Sequence, residues 1–239
     1  MKIGIMQPYF LPYIGYFQLM ASVDKFVLYD NIEYTKKGWI NRNRILVNNT
    51  DSYVSLPLKN DSDYLHVNER CFPDTFNKDC LKIKRKIQEA YIKAPFFKEV
   101  YPLIEDILNF GSNNLFEYIY NSIKKIHVFL DIKTELIISS NLNIDTTKYR
   151  GQDKVIAICE SLSAGVYINT IGGIEIYQDR PFSNKGIRLL FIKSNDIEYK
   201  QFNDKFIPWL SIIDILMFNG KEKVKLFLQD YTLQRHPNL

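Results

Sequence analysis

The side chains best suited to chemistry crowd into residues 30–44, where Asp30, Asn31, Tyr34, Lys36, Lys37, Trp39, Asn41, Arg42, Asn43 and Arg44 follow one another with few apolar interruptions. Guanidinium and amide groups hydrogen-bond phosphate, carboxylate and sugar hydroxyls bidentately, and an indole stacks on ring-shaped ligands. An exposed basic hairpin would also carry such charges, but Trp and Tyr among them favour a binding role. Lys37 and Arg42 are the candidates to hold a pyrophosphate, Trp39 or Tyr16 to stack on a base or sugar, and Tyr34, Asn41 and Gln201 to complete the binding set. Gln7 is a polar anchor near the reacting group, and His66 or Asp30 is the candidate general base. Imidazole titrates near neutrality and suits proton removal from an attacking amine, although a lone histidine in a strand is more often packed or solvated. His127, on an apolar helix face, and His236, near the tail, read as structural or incidental.

These residues need a scaffold. Ile3–Met6 is a short apolar run ended by Gln7-Pro8, which reads as a buried strand. Pro8 and Pro12 force an extended loop, Gly15 allows close backbone approach, and Phe17, Leu19, Met20 and Val23 then take helical spacing before a second apolar run at Phe26–Tyr29. Strand, loop, helix and strand make a βαβ unit, whose loop at the carboxyl end of the first strand is where open α/β sheets bind ligands. Arg44–Val47 and Tyr53–Leu58 alternate like paired strands around Asn48-Asn49-Thr50-Asp51, and Leu65–Phe72 is expected as a third strand.

Farther along, Thr75–Tyr91, Phe97–Phe110 and Asn114–Leu130 carry helical apolar stripes to which no chemistry is assigned. Strands follow at Glu135–Ser139, Val166–Asn169 and Ile187–Ile192, with helices at Gly151–Leu162 and Gly173–Gln178 between them. The expected fold is therefore a doubly wound, five-stranded parallel α/β sheet of nucleotidyltransferase or Rossmann-like type. It would form one domain over residues 1–239, with an antiparallel β elaboration at 40–72 and a helical excursion at 75–131. Ser139, Ser140, Asn169, Thr170 and the pair Gly172-Gly173 fall at the sheet's carboxyl edge, the glycines reading first as a turn. Ser211 and Asp214 have capping-box spacing before Ile212–Leu216, an amphipathic helix is expected at Lys221–Asp230, and Tyr231–Leu239 reads as a tail.

Composition narrows the function classes. Hydrophobic residues make up 46% of the 239 and aromatics 14%, enough for a folded core. A net charge of +4 permits anionic partners such as nucleotide sugars, but no Arg/Lys stripe or nucleic-acid module appears. Cys71, Cys80 and Cys159 lack CxxC or Cys/His spacing, so neither a disulfide framework nor a metal site is expected. The apolar start is broken too early for a signal peptide, and no stretch has the roughly 20 apolar residues of a membrane span. A cytoplasmic location is expected, with a homodimer left open.

Two stretches carry a family resemblance. QPYFLPYIGYFQLM with VDKFVLYDNIEYTKKGWINRNR at the start, and YKQFNDKFIPWLSIIDILMFNG (Tyr199–Gly220) near the end, resemble the WbqC-like proteins of O-antigen and other surface-polysaccharide gene clusters. YIKAPFF (Tyr91–Phe97) and ISSNL (Ile138–Leu142) extend the likeness. The resemblance implies a glycine-transferase role, in which an activated donor gives an acyl group to a nucleotide-linked amino sugar without a resident cofactor. Tyr13-Ile14-Gly15-Tyr16 also resembles the His-x-Gly-His signature of the nucleotidyltransferase superfamily in place, with tyrosines for both histidines. That likeness implies nucleotide binding as an alternative, and a non-catalytic sugar-binding protein is the third class. All three readings require the first-strand loop and the cationic hairpin to fold toward each other and make a single anion-and-sugar pocket.

Overall fold

The apolar runs become the strands of a mostly parallel sheet in the computed structural model, which describes residues 1–145 and 148–235. β1 (Lys2–Met6), α1 (Ile14–Ala21) and β2 (Lys25–Leu28) form the opening βαβ unit. Its strands touch closely, since a Cβ on Gly4 would meet the Phe26 ring at 3.3 Å and Leu19 at 3.5 Å. The hairpin of β3 (Arg42–Val47) and β4 (Thr50–Ser55) turns through Asn48 and Asn49, both at positive φ, as a two-residue loop matching the strands' twist requires.

Three helices follow: α2 (Phe76–Tyr91), α3 (Phe97–Leu108) and α4 (Leu115–Phe129). In α2 the buried positions Phe76, Cys80, Ile83, Ile87 and Tyr91 recur at helical spacing, and in α4 the Asn114 side chain caps the helix by accepting from Glu117 N at 3.1 Å. The sheet then resumes with β5 (Glu135–Ile138), α5 (Gln152–Ser161), β6 (Val166–Thr170), α6 (Asp179–Ser183), β7 (Arg188–Ser194), α7 (Ile212–Phe227) and β8 (Tyr231–Gln234).

The strand order is β5-β2-β1-β6-β7-β8, with every pair parallel except β7 with β8. The chain builds outward from β1 through β2 to β5, then returns to β1's other side with β6, so the direction of growth reverses between β1 and β6. The crevice at such a reversal is where open α/β sheets take ligands. Separate apolar cores fill the two faces: α1, α2, α3, α4 and α7 pack with the hairpin on one, and α5 and α6 on the other.

Several expectations are revised. The sheet has six strands rather than five, because Tyr231–Gln234, read as tail, pairs antiparallel along β7 from Ser194↔Tyr231 to Phe191↔Gln234. A four-residue edge strand needs no buried stripe and leaves little pattern to read. Leu65–Phe72 is not a third strand of the hairpin sheet. It makes only the isolated bridges Glu33↔His66 and Cys71↔Asn114 around a 3-10 turn at Val67–Glu69, whose N–H groups bond Ile32 O and Asp30 O instead of a ladder. The helix expected at Gly173–Gln178 is a 3-10 turn at Ile171–Gly173, and α6 begins later, at Asp179. The two helical runs at the end join as α7 across a kink at Gly220, whose φ is 70°. No helix among the described residues is long and apolar enough to cross a membrane.

Candidate functional site

The loop leaving β1 is stitched to two distant segments. Phe10 N donates to Ile40 O at 2.9 Å, and Asn43 Nδ2 to Phe10 O at 3.3 Å, so the loop lies on the strand that starts the hairpin. Ser211 Oγ donates to Leu11 O at 2.7 Å, Ile212 N to Pro12 O at 2.8 Å, and Ser211 N to Arg44 O at 2.8 Å. Loop, hairpin and the start of α7 therefore meet on Ser211, which also caps α7 by accepting from Ile213 N at 3.3 Å. The loop and the cationic hairpin do fold against each other.

Between the start of α1 and the segment leaving β7 lies a cleft of about 290 Å³, lined by Tyr13, Ser194, Asn195, Tyr199, Phe206 and Trp209 among others. That is near the lower end of ligand pockets, roughly 300–1,000 Å³. Trp209 stands 61% exposed. Its backbone is in the left-handed region at φ 61°, a conformation costly for a bulky residue. Arg44 Nη2 holds it there by donating to Trp209 O at 3.2 Å, and the Tyr13 ring packs 5.7 Å from the indole. Tyr13 itself lies over Gly15, where a Cβ would sit 2.3 Å from the Tyr13 hydroxyl. A glycine is required at that point for the ring to cross the first turn of α1.

A buried polar knot supports the cleft wall. Asp214, fully buried, accepts from Tyr91 Oη at 2.7 Å, Tyr199 Oη at 2.6 Å and Gln201 Nε2 at 2.8 Å. Burial pushes the Asp214 carboxyl above the usual carboxylate range, while these three hydrogen bonds pull it back. Gln201 also clamps Ile207, accepting from Ile207 N at 2.9 Å and donating to Ile207 O at 3.1 Å, which fixes the turn into Pro208-Trp209. The Asp214 side chain is thus engaged here and does not reach back to Ser211 N, which bonds Arg44 O; of the capping pair only Ser211 caps.

The other sequence candidates are distributed as follows. Tyr16 is buried and donates to Gln7 O at 3.1 Å, so its ring sits in the core against Phe17 and Phe26. Gln7 is half-buried, with Oε1 3.4 Å from the Tyr9 hydroxyl. Asp30 is buried beyond β2: Ser140 N and Ser139 Oγ donate to Oδ1 at 2.9 and 3.3 Å, and Asn68 Nδ2 donates to Oδ2 at 2.8 Å. His66 keeps 44% of its side chain exposed, 3.8 Å from Glu69. Lys37 is exposed. Arg42 spends Nε on Gly38 O at 3.0 Å and Nη2 on Lys37 O at 2.7 Å, with its guanidinium over Tyr53 and Trp39. Asn41 accepts from Tyr34 Oη at 2.8 Å and donates to Leu56 O at 2.7 Å. The structure thus gathers Tyr34, Trp39, Asn41 and Arg42 about the hairpin and places Gln201 behind the aromatic cleft; none of these, nor Gln7, Tyr16, Asp30, Lys37 or His66, lines that cleft, so the single pocket expected of loop and hairpin is not formed by these residues.

Two residues with unusual surroundings escaped the sequence reading. Trp209 was legible as a Trp following Pro in the closing block. Arg70 carried no signal: it is 3% exposed, and its guanidinium lies over the Tyr34 ring at 4.9 Å. Its Nε and Nη2 are buried without a hydrogen-bond partner.

No solved structure matches this chain. The uncharacterized protein Rv1507c of Mycobacterium tuberculosis (strain ATCC 25618 / H37Rv) is 28% identical over 225 residues, covering 92% of this chain and 95% of its own. Residues 7–226 match the WbqC-like protein family. The matched span takes in the loop leaving β1, the hairpin laid on it and the Ser211 junction that ties both to α7; the chain belongs to the WbqC-like protein family.

Proposed function

We propose that this chain transfers a glycyl or other acyl group from an activated donor to the amine of a nucleotide-linked amino sugar in surface-polysaccharide synthesis. The observation that carries the reading is the aromatic cleft beside the β1 loop, where Trp209 is held exposed against a backbone preference and Tyr13 stands ready as a second ring wall. Exposed rings beside amide and hydroxyl groups suit a sugar or a base. The resemblance to proteins of surface-polysaccharide clusters supplies the choice of an amino sugar.

In this reading the amine nitrogen attacks the donor's acyl carbon, the new C–N bond forms, and the donor's leaving group departs with its electron pair. The amine proton passes to His66, whose imidazole is accessible, whereas both oxygens of Asp30 already accept hydrogen bonds. Lys37 and Arg42 supply positive charge toward the nucleotide's phosphates, and no covalent enzyme intermediate is needed.

The test is calorimetry with a panel of nucleotide amino sugars, followed by mass spectrometry of the sugar after incubation with acyl donors. Trp209→Ala is expected to weaken binding by roughly 5- to 150-fold, the equivalent of ~1–3 kcal/mol of stacking. Wild-type affinity in both Trp209→Ala and Lys37→Ala overturns the assignment. A second reading, nucleotide binding in the manner of nucleotidyltransferases, is favoured by one observation, the reversal of strand order beside the Tyr13–Tyr16 loop. Pyrophosphate release from ATP or CTP would select it.

A further inference from the structure

The cleft walled by Tyr13 and Trp209 has a charge opposite in sign to that of the chain around it. The chain carries a net charge of +4, yet the described residues lining the cleft include two carboxylates, Asp196 and Glu198, and no lysine, arginine or histidine. Both belong to the segment leaving β7. Its start is pinned by Asn195, which donates from N to Asp230 O at 3.2 Å and from Nδ2 to Asp230 Oδ1 at 2.7 Å, and its far end by Tyr199 Oη on Asp214 at 2.6 Å. Exposure alternates between these pins: Ile197 and Tyr199 pack on the core, while Asp196 and Glu198 stay exposed. Neither carboxylate has a hydrogen-bond or ion-pair partner among the described residues.

The nearest cations do not neutralise them. Arg44, behind Trp209, spends Nη1 on Asp51 at 3.1 Å and Nη2 on Trp209 O at 3.2 Å. A groove that adjoins the cleft through Glu198, Tyr199 and Phe206 adds Lys200 and Asp204, one charge of each sign. Four rings share the cleft lining, with Tyr199 and Phe206 edge to face at 5.0 Å and Tyr13 5.7 Å from Trp209. Ring faces attract cations and carboxylates pair with them, whereas the same surroundings repel a phosphate.

We propose that the cleft takes a protonated primary amine, its ammonium held between the aromatic walls and the Asp196 and Glu198 carboxylates, and that the phosphates of a nucleotide lie outside it. The proposal rests on the reading of the cleft as the ligand site and not on the transfer reaction. The ammonium has two sources: the amino group of a sugar, or the free amino group of an aminoacyl donor.

The experiment is an NMR titration of the full chain at low, constant ionic strength with two pairs of probes, each a cation and a neutral counterpart: glucosamine with N-acetylglucosamine, and glycinamide with acetamide. One cation should bind roughly 5-fold or more tightly than its counterpart, and which pair shows the difference identifies the source. The double variant Asp196→Asn, Glu198→Gln, at exposed positions that do not hold the fold, should weaken that cation roughly 2- to 30-fold, as loss of two exposed ion pairs implies, and leave the neutral probe unchanged. Trp209→Ala should weaken it roughly 2- to 30-fold through the lost ring. Equal binding of cation and neutral counterpart, no binding of either cation, or undiminished binding by the double variant overturns the proposal. The transferase reading survives each of those results if nucleotide amino sugars still bind in a Trp209-dependent way. Cation binding that meets these conditions, with no acyl transfer to any acceptor, sustains the proposal and removes the transferase reading.

Discussion

Replacing Asp214 by Ala tests how the closing segment is held. The substitution removes the acceptor of three side-chain donors, Tyr91 Oη, Tyr199 Oη and Gln201 Nε2. A buried donor left unsatisfied costs about 1–3 kcal/mol. The three do not suffer equally. Gln201 Nε2 keeps Ile207 O at 3.1 Å, Tyr199 borders the cleft and can turn to solvent, and only the Tyr91 hydroxyl, which still accepts from Leu46 N, is fully stranded as a donor. Removing the carboxylate also relieves its own burial, which acts in the opposite direction. The net expectation is ~2–4 kcal/mol of destabilisation, a large part of the roughly 5–15 kcal/mol typical of a folded domain. Urea unfolding followed by tryptophan fluorescence measures it, and Tyr199→Phe alone should cost only about 0.5–1.5 kcal/mol. In the double variant the costs should fall short of additive, because the Tyr199 donor has no partner to lose once Asp214 is gone. The folded carboxyl is raised, so the native state binds the proton more tightly than the unfolded chain. Wild-type stability from this group therefore declines as pH rises from the unfolded value through the folded one, and Asp214→Ala should lack that slope. A variant within about 0.5 kcal/mol of wild type, the scatter of an inert substitution, would refute the reasoning.

Two further outcomes are expected. Gly220→Ala should lower stability by ~2–4 kcal/mol, since a Cβ there meets the Phe96 ring at 2.5 Å on a backbone at φ 70°; thermal melting indistinguishable from wild type would contradict it. Asp131, between Lys221 and Lys225, has its carboxyl pulled down from 3.8 to about 2, so its stabilising contribution is present above the unfolded value and lost as pH falls toward about 2. Carboxyl NMR titration at low salt should place its midpoint below those of unpaired aspartates, and a midpoint at the ordinary value would remove the pairing.

The sheet was legible because its strands are short, β-branched and punctuated. Ile3–Met6, Glu135–Ile138 and Val166–Thr170 are bounded by loop residues, and each pairs in parallel register as its pattern implies. The helices of the excursion were legible because Phe76, Cys80, Ile83 and Ile87 mark one face. What the sequence concealed depends on contacts made across the chain. Tyr16 carries the same aromatic label whether it faces a ligand or, as here, packs in the core with its hydroxyl on Gln7 O. Leu65–Phe72 alternates like a strand, but Ile32 O and Asp30 O capture its N–H groups as a turn. Arg70 looks like any surface arginine until α4 and Tyr34 close over it.

The Ser211 junction has a consequence for how the molecule comes into being. The β1 loop is made well before its anchor, since the hydroxyl that fixes Leu11 belongs to a residue 200 positions later. At ribosomal rates of ~5–20 residues per second, the loop waits on the order of 10–40 seconds for that partner. A nascent chain can assemble its opening βαβ unit early, but it cannot fix the loop beside the cleft until Ser211 has been added. A chain terminated before Ser211 would therefore carry the entire opening βαβ unit with its loop unanchored.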